Sequence, residues 1–305
     1  MRQRSTGATR LWLGIAVAAC LGARTPASGQ DYELSVIARG LERPTGIAVH
    51  RKGNVYFTQL PTPGVNGDNG GSNRVMRLHR NGNLRELTFG EPEPTHIAVT
   101  QRKTLYWTCK SAGVILTFSG GERSLVLNEL EDPSGIAVAD RGPSAGELTF
   151  TQIPTPGVNG DNGGRNRVSV YDGNNIFDLS SGEPEPTDVA VDDDGTAYWT
   201  CTSAGVILYQ PRGGERTLLL HDLNLPSGIA VDREGHVYFT ELPTPGVPGD
   251  EGGMNRIWKH DPDTGETTLI HEGDPDPVDV AVTPDGTTVY WTCRSAGVIV
   301  AARRR

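Results

Sequence analysis

Tyr106-Trp107-Thr108-Cys109, followed one residue later by Ser111-Ala112-Gly113-Val114-Ile115, decides how this chain folds, because the chain writes it three times. The second and third copies begin at Tyr198 and Tyr290, so 92 residues separate successive copies. Between them runs another phrase, Pro-Thr-Pro-Gly-Val, starting at Pro61, Pro154 and Pro243. A fixed internal period of this kind is the mark of a repeat architecture.

Each long repeat divides again. Pro-x-Gly-Ile-Ala-Val places its glycine at Gly46, Gly135 and Gly228, and a sister phrase (Thr95-His96-Ile97-Ala98-Val99 in its first copy) recurs from Thr187 and from Val278. The anchors 46, 96, 135, 188, 228 and 279 are spaced 50, 39, 53, 40 and 51 residues apart, which makes six units, alternately long and short. Within a unit, Ile-Ala-Val is a short apolar run. A turn such as Asp193-Asp194-Gly195 follows, then an aromatic and β-branched run such as Val237-Tyr238-Phe239-Thr240, then two further runs such as Gly205–Leu208 and Thr217–Leu220. Four short strands per 40 to 50 residues, punctuated by Gly and Asp-Gly turns, define a propeller blade. No segment beyond residue 30 carries a 3.6-residue apolar period. The expected fold is all-β: a six-bladed propeller of four-stranded blades with pseudo-threefold symmetry, filling residues 31–305 as one domain. The last unit, from Val278, has room for only three strands before Arg305, while Tyr32–Ile37 precedes the first anchor. That N-terminal strand should complete the last blade and close the ring, removing exposed sheet edges.

Residues 1–30 read as an export signal. Arg2, Arg4 and Arg10 precede an apolar stretch from Leu11 to Leu21 that is too short to span a membrane. Ala27-Ser28-Gly29 suits ordinary signal cleavage, whereas Val17-Ala18-Ala19-Cys20 suits a lipobox that would leave Cys20 as a lipid anchor. The expected location is therefore secreted or periplasmic. Without the signal, 24 basic residues face 37 acidic ones, a net charge of −13. Such a surface does not track a phosphate backbone, so nucleic acid is excluded as a partner; no transmembrane span is expected, and the domain reads as a monomer. Cys109, Cys201 and Cys293 share one repeat position. Alternate blades set them beyond the ~7 Å Cα separation a disulfide tolerates. They are either buried free thiols or, if they meet on the axis, a three-thiolate metal site.

Pro226–Glu241 resembles an NHL repeat, and Asn255-Arg256-Ile257 fits that family's third strand. Val280-Ala281-Val282 with Tyr290-Trp291-Thr292 is similar to the YWTD repeat, with Cys293 in place of its final Asp. Residues 31–305 as a whole resemble the senescence-marker-protein/gluconolactonase superfamily, which is also six-bladed. That last resemblance implies metal ligands at the channel mouth, among them an Asn in a Pro-Asn-Gly phrase and an Asp ending a second strand. The Asn slot here holds Thr45, Thr95, Ser134, Thr187, Ser227 and Val278; the Asp slot holds Gln59, Cys109, Gln152, Cys201, Glu241 and Cys293. The superfamily's ligand set is not reproduced. NHL and YWTD propellers are largely binding modules, so the resemblance implies a binder more than a lactonase.

In a propeller, the loops that lead into each first strand and out of each second strand meet on one face beside the channel, the natural place for a site. The copies disagree there at two positions. His96 stands where the others have Asp188 and Asp279, and Glu241 stands where the others have Gln59 and Gln152. These six residues form the expected ligand-binding set. His96, Asp188, Asp279 and Glu241 could hold one divalent cation, calcium, zinc or a similar ion. His96 and Glu241 are the candidate catalytic groups, with an ion activating water or with His96 as general base. The alternative is that these groups hydrogen-bond loop backbones around a wet channel. Asn66–Gly70, Asn159–Gly163 and Gly249–Gly252 are rich in calcium-type oxygens but are turn formers first. The expected function is an exported propeller that binds a small molecule, glycan or protein at the channel mouth and loop rim. The alternative is a metal-dependent hydrolase or lactonase built on the His/Asp/Glu cluster.

Overall fold

The computed structural model describes residues 31–60, 73–154, 165–243 and 254–305. Residues 1–30, expected to be an export signal, and the three glycine-rich loops considered for calcium lie outside these residues. Six separate four-stranded antiparallel sheets make up the fold. Blade 1 comprises Pro44–Val49, Val55–Gln59, Arg74–Leu78 and Leu84–Phe89. Blade 2 comprises Pro94–Val99, Leu105–Cys109, Val114–Ser119 and Glu122–Leu127. Blade 3 comprises Pro133–Val138, Leu148–Gln152, Arg167–Tyr171 and Ile176–Ser181, and blade 4 comprises Pro186–Val191, Ala197–Cys201, Val206–Gln210 and Thr217–Leu220. Blade 5 holds Pro226–Val231, Val237–Glu241, Arg256–His260 and Thr267–Glu272. Blade 6 takes Pro277–Val282, Thr288–Cys293 and Val298–Arg304 from the C-terminal end and Tyr32–Ala38 from the N-terminal end. Tyr32 pairs with Arg304 and Val36 with Val300, so the first strand closes the ring as its place in the repeat requires. Each first strand also touches the first strands of both neighbouring blades, completing the inner circle.

Burial falls from the axis outward. The second strands of blades 1, 3, 4 and 5 are buried at every residue, while the outer strand Leu84–Phe89 is mostly exposed. Six apolar clusters fill the spaces between and within blades. In one, Trp107, Leu105 and Cys109 of blade 2 pack on Ala48, Tyr56 and Val75 of blade 1. Trp107, Trp199 and Trp291 are fully buried. They are core residues, each worth about 3–5 kcal/mol on truncation to alanine, and not an aromatic cage. The thiols Cys109, Cys201 and Cys293 form no disulfide and are buried in three different clusters, so the three-thiolate site does not form.

Six threonines hold the blades together near the axis. Thr58, Thr108, Thr151, Thr200, Thr240 and Thr292 are all fully buried. In blades 1 to 5 the hydroxyl accepts from a first-strand N–H of its own blade, for example Gly46 N to Thr58 at 2.8 Å and Gly228 N to Thr240 at 2.9 Å. In blades 1 to 4 and in blade 6 it donates across to the next blade, as Thr200 does to Ser227 O and Thr292 to Thr45 O, both at 2.6 Å. A hydroxyl both donates and accepts, which an aliphatic residue of the same size cannot do. The recurring Asn73, Asn166 and Asn255 each donate to the backbone carbonyl of Glu91, Glu183 or Asp274. Arg74, Arg167 and Arg256 pair with acids of their own blade and its lead-in (Glu86, Asp178, Glu131, Glu272).

Candidate functional site

The channel mouth is shaped by a bulge. Register slips between Pro44 and Ile47 in blade 1, and at the equivalent place in every other blade, so the residue two after each proline sits in a local kink. Bulges re-aim side chains. Here the six re-aimed positions alternate Gly46, His96, Gly135, Asp188, Gly228 and Asp279 around the axis. The glycines are steric necessities. A Cβ on Gly46 would lie 2.6 Å from the His96 Cα, one on Gly135 2.5 Å from the Asp188 Cα, and one on Gly228 2.6 Å from the Asp279 Cα. The mouth is too narrow for six side chains; three glycines admit three functional groups.

Those three groups converge. His96, Asp188 and Asp279 each bring a ligand-type atom to within 4.8 Å of the others. His96 Nε2 lies 3.8 Å from Asp188 Oδ1, and the three side chains are almost wholly buried. Each carboxylate also ties one blade to the next: Asp279 Oδ2 accepts from Ile47 N at 2.7 Å and Asp188 Oδ2 from Ile229 N at 2.9 Å. Asp279 Oδ1 accepts from Val280 N at 2.7 Å. His96 cannot copy this arrangement. Its Nδ1 is buried and has no partner among the described residues.

Electrostatics sharpen the picture. Burial raises the Asp188 carboxyl above its ordinary value, while His96 and the backbone N–H groups of Ile229 and Val189 pull it back. Asp279 is raised well above its ordinary value, by burial first and then by the negative charge of Asp188. The two carboxyls act on each other, and Asp279 is held the further above its ordinary value. Two carboxyls this close in a dry site do not both ionise without a cation. An imidazole nitrogen and two carboxylates are a donor set that suits a divalent metal.

Glu241 does not join them, contrary to the sequence expectation. Its carboxylate accepts from Asn224 N at 2.7 Å and from the Trp258 indole N–H at 2.6 Å, with Arg256 at 4.0 Å. Gln152 is turned the same way, accepting from Glu131 N at 2.9 Å and donating to Ser169 Oγ at 3.1 Å. Gln59 is buried at the equivalent register position, opposite Pro44 and Arg74. Glu241 departs from glutamine because blade 5 has Trp258, an added donor, where blade 3 has Ser169.

Sequence reasoning also missed a second set of buried acids. Glu91, Glu183 and Asp274 open the recurring phrase Glu/Asp-Pro-Glu/Asp-Pro, and each accepts from the indole N–H of its blade's tryptophan, at 3.2, 3.1 and 2.6 Å. Arg123 and Arg216 complete the pairing for the two glutamates, and His271 lies 3.3 Å from Asp274. These groups explain why tryptophan recurs in the Tyr-Trp-Thr-Cys phrase: its ring packs while its N–H meets an acid at the blade rim. The repetition of the Pro-Glu-Pro phrase was the signal available for them.

No protein-family model and no curated protein matches the sequence. Solved structures share the fold. A gluconolactonase from Xanthomonas campestris superposes with a TM-score of 0.69 at 17% identity, covering 96% of this chain and 94% of that one. A calcium-binding regucalcin from Agrobacterium tumefaciens gives 0.63 at 13% identity, over 90% and 96%. A streptogramin B lyase gives 0.59 at 16% identity, over 92% and 100%. The class this chain shares with them is the β-propeller, here of six blades. At such identities the likeness is one of fold, and function must come from the site.

Proposed function

We propose that this is an exported propeller that binds its ligand at the channel mouth through a divalent cation held by His96, Asp188 and Asp279. The convergence of these three side chains carries the reading, because the repeat supplies it by placing glycine at every intervening position. The ion is a calcium- or zinc-like divalent cation, and the ligand is an oxygen-bearing small molecule or glycan that completes its coordination. Elemental analysis of the purified protein tests the proposal. One tightly bound divalent ion per chain, lost in His96→Ala, is the expected result. Absence of any ion, with a melting temperature indifferent to added cations and to chelator, would overturn it.

A second reading is favoured by the gluconolactonase among the structural relatives. The same centre would then serve hydrolysis of an ester or lactone: an ion held by the three side chains would activate water, or, without an ion, His96 would act as general base with a carboxylate orienting it. Turnover of a lactone panel by the metal-loaded protein, abolished by His96→Ala, separates the hydrolase from the binder.

A further inference from the structure

A second set of departures from the repeat gathers at the opposite end of the blades, where the ring is closed. A cleft of about 550 Å³ lies between blades 6 and 1, bounded by the turns after Val49, Leu78 and Val282 and by the outer part of blade 6. Five cationic or titratable basic side chains line it: Arg51, Lys52, His79, Arg80 and Arg303. No carboxylate lines it, although acids outnumber bases in residues 31–305. None of the five makes a salt bridge among the described residues. Asp285, on the adjoining turn, is taken up by the hydroxyls of Thr283 and Thr287 at 2.6 and 2.7 Å.

The repeat shows that this charge is local. His79 follows the third strand of blade 1, and the equivalent residues of blades 3 and 5 are Asp172 and Asp261. Arg80 answers to Gly173 and Pro262. Arg303, five residues into its strand from Val298, answers to Ser119 and Pro211. Three positions depart from their sisters, all toward positive charge, and all face one cleft. Glu33 stands opposite Arg303 across the strand pair, but no acid lines the cleft itself.

We infer that the blade 6–blade 1 cleft is a binding site for a small polyanion carrying two or more oxyanion groups, of the phosphate-ester or polycarboxylate class. Guanidinium forks pair with such groups through two parallel hydrogen bonds, and the hydroxyls of Thr288 and Tyr290 line the same cleft. Its volume falls within the range of small-molecule pockets, about 300–1,000 Å³. The site is separate from the cation centre and does not depend on it, since the cleft lies beyond the far ends of the first strands that present His96, Asp188 and Asp279 at their near ends.

Isothermal titration calorimetry of the full mature chain with pyrophosphate and with citrate, at fixed ionic strength in chloride, tests the inference. The expected result is saturable one-to-one binding of at least one probe. It should weaken tenfold or more in Arg51→Ala/Arg80→Ala and in His79→Asp, the latter restoring the residue that the sister blades already fold with. The charge-matched control Arg102→Ala/Arg141→Ala lies outside the cleft and should change affinity less than twofold. Absence of saturable binding by either probe to the wild type, or an equal loss in the cleft and control variants, overturns the site, the second result marking non-specific attraction.

Discussion

Replacing Glu241 by glutamine tests whether this departure from the repeat is structural or chemical. In the native blade the carboxylate accepts from Asn224 N and from the Trp258 indole N–H at 2.7 and 2.6 Å. Glutamine offers one acceptor oxygen and one donor amide, so it satisfies one of these groups and turns an N–H against the other. A buried donor left without an acceptor costs about 1–3 kcal/mol. At about 2–4 °C per kcal/mol for a chain approaching this size, the melting temperature of Glu241→Gln should fall by about 2–12 °C. Blade 3 already shows the remedy, since Gln152 there donates to Ser169, the counterpart of Trp258. Trp258→Ser alone removes packing and a charge-assisted hydrogen bond. Combined with Glu241→Gln it recreates the blade 3 pairing, so the double variant should be more stable than the two separate losses predict, by about 1–2 kcal/mol. Chemical denaturation of the wild type, both single variants and the double variant measures this interaction energy. Additivity within about 0.5 kcal/mol would refute the structural assignment. Loss of bound metal in Glu241→Gln would refute it independently, by returning the carboxylate to the channel chemistry.

Gly228→Ala places a methyl 2.6 Å from the Asp279 Cα and 2.7 Å from its Oδ1; overpacking of about 1–3 kcal/mol and weakened cation affinity should appear together in a melting-temperature titration. Thr200→Val strands the Asp188 N–H and the Ser227 carbonyl, and a loss of about 1–3 kcal/mol in urea unfolding is expected. In chelator-treated protein the raised carboxyls of Asp188 and Asp279 favour the folded state below the ordinary carboxylate range, and that contribution is lost as pH rises through their folded values. Melting temperature should therefore decline with rising pH in chelator and decline less with saturating cation; identical profiles would count against the metal centre. The three propeller thiols should resist a thiol reagent until the protein unfolds, because all are buried and burial pushes Cys201 up to about 12; rapid labelling of native protein would contradict that placement.

The ring was legible because the repeat is nearly exact and because the blade count leaves one strand missing at Arg305 and one spare at Tyr32. His96, Asp188 and Asp279 were legible for the same reason, since aligned copies expose a position that alternates with glycine. What decides their convergence was not legible. The bulge after each first-strand proline is a register slip between two strands, and no residue announces it. Glu241 was misplaced because its partner, Trp258, lies on the next strand beyond a long loop, and only the register of blade 5 sets the two together. The threonine belt was hidden by its own uniformity: a residue identical in six blades carries no contrast. The basic cleft was hidden by distance along the chain, with Arg51 and Arg80 from the first blade meeting Arg303 from the last strand.

The departures from threefold repetition therefore divide by whether a neighbour answers them. Glu241 is answered by Trp258 and Arg256 within its own blade, so the change preserves hydrogen bonding and keeps the blade intact. His96 is answered only in part, by Asp188 at 3.8 Å from its Nε2. Its ring has replaced a carboxylate that would tie blade to blade, and its Nδ1 is left buried without a partner. Leaving such a group unpaired costs about 1–3 kcal/mol, a sacrifice the fold has no reason to make where aspartate serves the other two copies. The five bases at the ring's seam share a cleft that no carboxylate lines, and Glu33 faces only Arg303 across the strand pair. In a chain whose copies supply ready-made structural solutions at each position, an unanswered change points to something outside the chain, and these two sites ask for opposite charges: a cation in the channel and a polyanion at the seam.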